Sequence, residues 1–141
     1  PLAFEMLART PASVFNGTRS GGPVRAPEFR RMALSLPTAV EAAHMNHADF
    51  RVGGRIFATL GHPSPQFAVV MLTPQDQDLL VHAHPAMFTP VAGKWGASGS
   101  TVVVLGKARV NVVATALEAA WRRRSPKHVI AEFDSRSQSA V

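Results

Sequence analysis

Two consecutive glycines, Gly53 and Gly54, separate two short stretches with the alternating pattern of β-strands, Phe50–Val52 and Arg55–Leu60. A two-residue connection of this kind requires positive φ angles, which glycine adopts without steric cost, and it joins antiparallel strands in a tight turn. The segment from Phe50 to Phe57 therefore predicts a β-hairpin. Any sheet that includes this hairpin must be at least partly antiparallel.

Three more strands and three helices are predicted around the hairpin. The strands are Val40–Met45, Gln66–Leu72 and Ser100–Leu105. The first helix follows Pro27, a short helix opens at Thr73-Pro74, and the longest helix ends before Pro126. Strands in succession with helices at the ends predict an α+β domain. We expect an N-terminal helix, an antiparallel sheet of about five strands, a short helix and a long C-terminal helix.

Composition along the chain predicts where this domain begins and ends. Residues 16–25 are rich in Gly, Ser and Pro, so residues 1–25 are predicted to be a flexible N-terminal extension. The domain is predicted over residues 26–133, and the Ser-rich residues 134–141 are expected to form a frayed C-terminal tail. The segment from Pro85 to Gly99 contains Phe88 and Trp95 among prolines and glycines, which predicts a packed loop.

Several classes of protein are excluded by residue content. The chain has no cysteine, which rules out disulfides, thiolate zinc sites, Fe–S clusters and a cysteine nucleophile. The longest apolar runs, such as Phe67–Leu72, are far shorter than the ~20 residues that span a bilayer. The first 25 residues lack the pattern of a signal peptide. We therefore expect a cytoplasmic protein with no membrane association.

Positive charge is unevenly distributed along the sequence. The net charge is +6, and between Lys94 and Lys127 a single acid, Glu118, accompanies many basic residues. A positive excess favours acidic partners, of which nucleic acid is the commonest, although it also aids solubility. The basic residues of this stretch are Lys94, Lys107, Arg109, Arg122, Arg123, Arg124 and Lys127.

Three groups of residues are candidates for contact with nucleic acid. Arg51 and Arg55 flank the hairpin turn, and a basic two-stranded wing can enter a DNA groove. Lys94 and Trp95 lie in a Gly-flanked loop, where they can offer a cation and a stacking surface to a base. At the end of the long helix, helical geometry directs Arg122 away from the apolar stripe and Arg124 onto it. The third group is Arg122, Arg123 and Lys127.

Each group also has a purely structural interpretation. Hairpin arginines are common on solvated strands, and cations in the last turn of a helix stabilise its dipole and cap its carbonyl groups. A tryptophan more often anchors its loop in the core than faces the solvent. The sequence leaves both interpretations open for all three groups.

Neither a metal site nor a catalytic site is predicted. His44, His47 and His62, with Asp49 nearby, and the pair His82 and His84 offer imidazoles, but their spacing matches no metal-binding motif. The sequence also lacks a GxSxG elbow, a Walker loop and a GxGxxG motif. We therefore expect a binding protein without a cofactor rather than an enzyme.

Several motifs occur in order along the chain: Phe29–Pro37, His47–Leu60, Leu72–Gln77, Pro85–Gly96, Thr101–Leu105, Ala120–Arg122 and Pro126-Lys127. Across about Glu28 to Ile130 they resemble the MmcQ/YjbR family of small bacterial proteins. The resemblance implies a CyaY-like, double-wing α+β fold and a DNA-binding role. Our leading hypothesis is a DNA-binding protein; the alternative is a protein-interaction or small-ligand module that uses the sheet face and the Phe88–Trp95 loop.

Overall fold

The computed structural model describes residues 23–139 as an α+β domain, which confirms the predicted fold class. The helices are α1 (Ala26–Leu34), α2 (Pro74–Ala83), α3 (Lys94–Ala97), α4 (Val110–Arg124) and α5 (Lys127–Ser139), with a 3₁₀ turn at Leu105–Lys107. The strands are β1 (Val40–His44), β2 (His47–Val52), β3 (Arg55–Leu60), β4 (Phe67–Met71), β5 (Phe88–Pro90) and β6 (Ser100–Val104).

These strands form one antiparallel sheet in the order β1-β2-β3-β4-β6-β5. The sheet has six strands where about five were expected. The additional strand is β5, which lies in the segment predicted to be a packed loop and pairs with β6. It is only three residues long and ends in proline, so it is too short to show an alternating pattern in the sequence.

Two tight turns define the first half of the sheet. Gly53 and Gly54 have φ angles of +58° and +78°, which confirms the predicted hairpin between β2 and β3. Met45 and Asn46 adopt φ angles of +50° and +68° between β1 and β2. The second turn was missed because it contains no glycine. Met45 therefore belongs to the turn rather than to the strand predicted to contain it.

Helix α4 is the centre of the core. Every residue from Val112 to Trp121 is buried, because β3 and β4 lie on one side of the helix and α1 packs on another. At its C-terminal end, the Trp121 indole N–H donates a hydrogen bond of 2.9 Å to the Pro37 carbonyl. The Trp121 ring also meets the Phe133 ring of α5 edge to face, with centroids 5.2 Å apart. Trp121 thus connects α4 to the segment that follows α1 and to α5.

The domain extends beyond the predicted boundaries at both ends. Val24, placed by prediction in the flexible extension, is buried, and its N–H donates to the Leu105 carbonyl at 3.2 Å. The rest of the predicted extension, residues 1–22, lies outside the described residues. Helix α5 continues to Ser139 instead of fraying after Phe133, since Asp134 and Arg136 both form ion pairs within this part of the structure.

None of the helices within residues 23–139 combines the length and the apolar character that crossing a membrane requires.

Candidate nucleic-acid interface

Residues from all three predicted groups come together at one end of the sheet. The β2–β3 turn, the end of β4 and the start of β6 are neighbours there, because β3 and β6 each run antiparallel to β4. Helix α3 precedes β6 at this end, and the C-terminus of α4 meets it. We call this region the basic end and define it by Arg55, Lys94, Trp95, Arg123 and Lys127.

Two glycines bring these segments into close contact. A methyl group added at Gly53 would lie 3.0 Å from the Pro126 side chain, so the hairpin turn rests against the residue that precedes Lys127. A methyl group at Gly99 would lie 2.9 Å from Arg123 Nη1, so the segment after α3 rests against the end of α4. The tight packing at both glycines holds the hairpin, the α3 segment and the end of α4 together.

Arg122 is held in an internal ion-pair network. Its Nε lies 3.1 Å from Glu118 Oε2, and its Nη2 lies 2.6 Å from Asp134 Oδ1. Burial lowers the pKa of Arg122. The hydrogen bonds to Asp134 and then to Glu118 raise the pKa, and together with the charges of these carboxylates they outweigh burial, so the net shift is upward. Helical geometry correctly directs Arg122 away from the apolar stripe, but α5 covers that face. Its side chain, 19% exposed, is engaged by carboxylates rather than offered to solvent.

Arg123 is used to fix the backbone of the basic end. Its Nη1 donates to the Leu72 carbonyl at the end of β4 and, at 3.0 Å, to the Ser98 carbonyl after α3. Burial, followed by the adjacent charge of Arg124, lowers the pKa of the Arg123 guanidinium. Arg124 Nε is itself buried and has no hydrogen-bond partner within the described chain. Arg123 therefore fixes the backbone beneath the basic end, and the buried Arg124 Nε does not face solvent.

Arg51 is paired with a buried carboxylate on the sheet. Its Nε donates to Asp49 Oδ1 at 2.8 Å and its Nη2 to Asp49 Oδ2 at 3.1 Å. The hydrogen bond to Asp49, followed by the attraction of its charge, raises the pKa of Arg51. Asp49 is 1% exposed, so Arg51 neutralises a charge that would otherwise be costly to bury. Of the two hairpin arginines, Arg55 is the one at the basic end.

Four of the predicted residues are exposed: Arg55, Lys94, Trp95 and Lys127. No ion pair among residues 23–139 involves Arg55, Lys94 or Lys127. Trp95 is 73% exposed, so it does not anchor its loop in the core. The basic end therefore presents three cations and one large aromatic surface directly to solvent.

Gln77 of α2 holds the α3 segment in place and was not singled out by sequence reasoning. Its Nε2 lies 2.9, 3.1 and 3.1 Å from the Gly96 carbonyl, the Ser100 carbonyl and Thr101 Oγ1, three acceptors that share its two N–H groups. The signal available was its place in the Leu72–Gln77 motif. Because these bonds fix the backbone beside Trp95, the indole is exposed on an ordered segment rather than on a free loop.

The other basic residues of the Lys94–Lys127 stretch lie elsewhere. Lys107 and Arg109 follow the C-terminal end of β6, which is the opposite end of the sheet from the basic end. There, burial and then the charge of Arg109 lower the pKa of His84. The concentration of charge seen in the sequence is thus divided between two ends of the domain.

Comparison with known proteins identifies relatives at the level of family and fold. The protein-family model described as YjbR matches residues 34–123 of the chain. Among solved structures, the Deinococcus radiodurans protein DR2400, which contains the family-model domain DUF419, is similar with a TM-score of 0.58. The two chains are 19% identical, and the similarity covers 70% of this chain and 76% of that one. No curated protein matches the sequence.

Proposed function

The chain belongs to the YjbR family, and from that premise we propose that it is a non-enzymatic DNA-binding domain whose basic end contacts single-stranded DNA. The observation that carries the proposal is the exposed Trp95 at the same end of the sheet as Arg55, Lys94 and Lys127, cations that have no carboxylate partner in the ion pairs of residues 23–139. Aromatic side chains beside positive charge bind single strands by stacking on bases while cations contact phosphates.

The structure also narrows the set of residues proposed to contact DNA. Arg55, Lys94 and Lys127 are exposed, so they can reach phosphates. Arg51, Arg122 and Arg123 already donate hydrogen bonds within the protein, and we assign them a supporting role. An interface of this kind reads the backbone and the stacking face of a base, so it carries little sequence information.

A charge-matched pair of double variants tests the phosphate contacts. For three contacts with a single strand, log K is expected to fall with log salt at a slope of about −2. Lys94→Ala with Lys127→Ala should reduce the magnitude of that slope by about 1.4, because two contacts are lost. The measurement is fluorescence anisotropy of a labelled oligothymidylate of about 16 nucleotides across a salt series.

The control is Lys107→Ala with Arg109→Ala, which removes the same net charge at the opposite end of the sheet. This variant should keep the slope of the unmodified protein. Equal slopes for the two double variants would show that any binding follows net charge alone, and the absence of salt-dependent binding would exclude the proposal.

Trp95→Ala tests the stacking contact separately. Loss of a base–aromatic stack should weaken binding by about 1–3 kcal/mol, or roughly 5- to 150-fold, with little change in salt slope. Trp95→Phe retains an aromatic face and should lose less affinity. If Trp95→Ala binds the oligonucleotide as tightly as the unmodified protein, the indole does not stack on a base. Stronger binding to a duplex of the same length would likewise contradict the proposed preference for a single strand.

A further inference from the structure

A cavity of about 350 Å³ lies at the end of the sheet opposite the basic end. It is formed by the β1–β2 turn, the neighbouring parts of β2 and β3, and the loop that follows β3. Three histidines line it, His44, His47 and His62, together with the apolar side chains of Met45 and Ile56. Its volume is at the lower end of the range for small-molecule pockets, which is about 300–1,000 Å³.

The histidines of this cavity converge from segments that are separate in sequence. His44 and His47 are paired across the β1–β2 turn, and His62 enters from the loop after β3. The His47 and His62 rings meet edge to face with centroids 5.0 Å apart. Within residues 23–139, no three His, Asp or Glu side chains are arranged to hold a metal ion. The imidazoles line the cavity as aromatic walls that also carry hydrogen-bonding nitrogens.

Two polar groups on the sheet set the chemistry of the cavity. Asp49 lines it, but the carboxylate already accepts two hydrogen bonds from Arg51, so its charge is neutralised. Thr59, which pairs with Asp49 across the sheet, also lines it, and the buried Thr59 hydroxyl has no hydrogen-bond partner within the described residues. Buried hydroxyl groups without a partner are uncommon in folded proteins. An acceptor on a bound ligand would satisfy this one.

We propose that the cavity binds a small aromatic carboxylate. The ring would lie against the imidazoles and the Met45 and Ile56 side chains, and the carboxylate would accept hydrogen bonds from Thr59 and from histidine N–H groups. A carboxylate offers the acceptor that the unpartnered Thr59 hydroxyl lacks, whereas a cation is disfavoured because Arg51 already pairs with Asp49, the carboxylate in the cavity wall. This site is separate from the basic end, so it does not depend on DNA binding.

The test uses 2-naphthoate as the probe and two-dimensional ¹H–¹⁵N NMR as the measurement. Saturable shifts are expected at the amides of the β1–β2 turn, Thr59 and His62, with no shifts at the basic end. Thr59→Val removes the hydroxyl at nearly constant size, and His62→Ala removes one wall. Each variant loses one hydrogen bond to the charged carboxylate, which should weaken binding at least about tenfold.

The control is His82→Ala, which removes an exposed histidine of α2 that does not line the cavity and should leave the affinity unchanged. Amide resonances of the basic end that stay at the positions seen in the unmodified protein establish that each variant is folded. The proposal is overturned if 2-naphthoate gives no saturable shifts or if Thr59→Val and His62→Ala bind it normally. Equal affinity for the neutral analogue 2-naphthalenemethanol would also overturn it, since the carboxylate would then contribute nothing.

Discussion

Replacing Trp121 with alanine is expected to lower the free energy of unfolding by about 3–5 kcal/mol, the range found when a buried large aromatic side chain is truncated. Trp121 is fully buried at the point where α4 meets α5 and the segment after α1. The substitution leaves a cavity and also removes the hydrogen bond to the Pro37 carbonyl. Small domains have total stabilities of about 5–15 kcal/mol, so the variant should be close to unfolding.

Urea denaturation followed by circular dichroism measures this loss. Trp95→Ala is the matched control, because it removes the same side chain from a position that is 73% exposed. Its free energy of unfolding should change by less than about 0.5 kcal/mol. Similar losses for the two variants would contradict the placement of Trp121 in the core.

Gly96→Ala is expected to cost about 3 kcal/mol or more, at the upper end of the range for overpacking substitutions. The added methyl carbon would lie 1.6 Å from the Val91 carbonyl oxygen, a backbone atom that cannot move independently. Relief of this clash requires α3 to shift away from Val91, which would break the hydrogen bond from Gln77 to the Gly96 carbonyl. We expect Lys94 and Trp95 to lose their fixed positions as a result.

Gly106→Ala provides the control, because a methyl group there meets no atom within 4 Å and the backbone is not in the left-handed region. Its stability should stay within about 0.5 kcal/mol of the unmodified protein. Thermal unfolding of both variants, monitored by circular dichroism, compares them directly. An unchanged melting temperature for Gly96→Ala would mean that α3 tolerates displacement at no cost.

The parts of the fold that were predictable from sequence depend on local chemistry. Gly53 and Gly54 specify their turn through their own backbone freedom, and the Thr73-Pro74 pair starts α2 through its own cap, in which Thr73 Oγ1 accepts from the Asp76 N–H. Strand β5 and helix α3 were not predictable, because neither is long enough to show a period. They are fixed by distant partners such as Gln77 and β6.

The residues of the candidate site were also only partly predictable, because their burial and their partners depend on other parts of the chain. Helical geometry correctly separated Arg122 from the apolar stripe, but it carried no information about α5, which supplies Asp134 from another helix. Likewise, the sequence indicated that Arg51 is a surface cation. Its partner, Asp49, lies only two residues away, but the burial of Asp49, which makes the ion pair necessary, depends on the whole sheet. Exposure of Arg55, Lys94 and Lys127 is a property of the assembled domain, which the sequence does not record.

The order of the strands determines which parts of the sheet can form while the chain is still being synthesised. Strands β1 to β4 pair in succession, so they can form as soon as they leave the ribosome. The face that they bury, however, is covered by α4, and the indole of Trp121 reaches back 84 residues to the Pro37 carbonyl. Until α4 has emerged from the ribosome, the apolar face of the partly formed sheet stays exposed to solvent, which makes the nascent chain prone to aggregation. The interval between synthesis of β4 and synthesis of α4 is therefore the period in which the partly formed sheet is most exposed to aggregation.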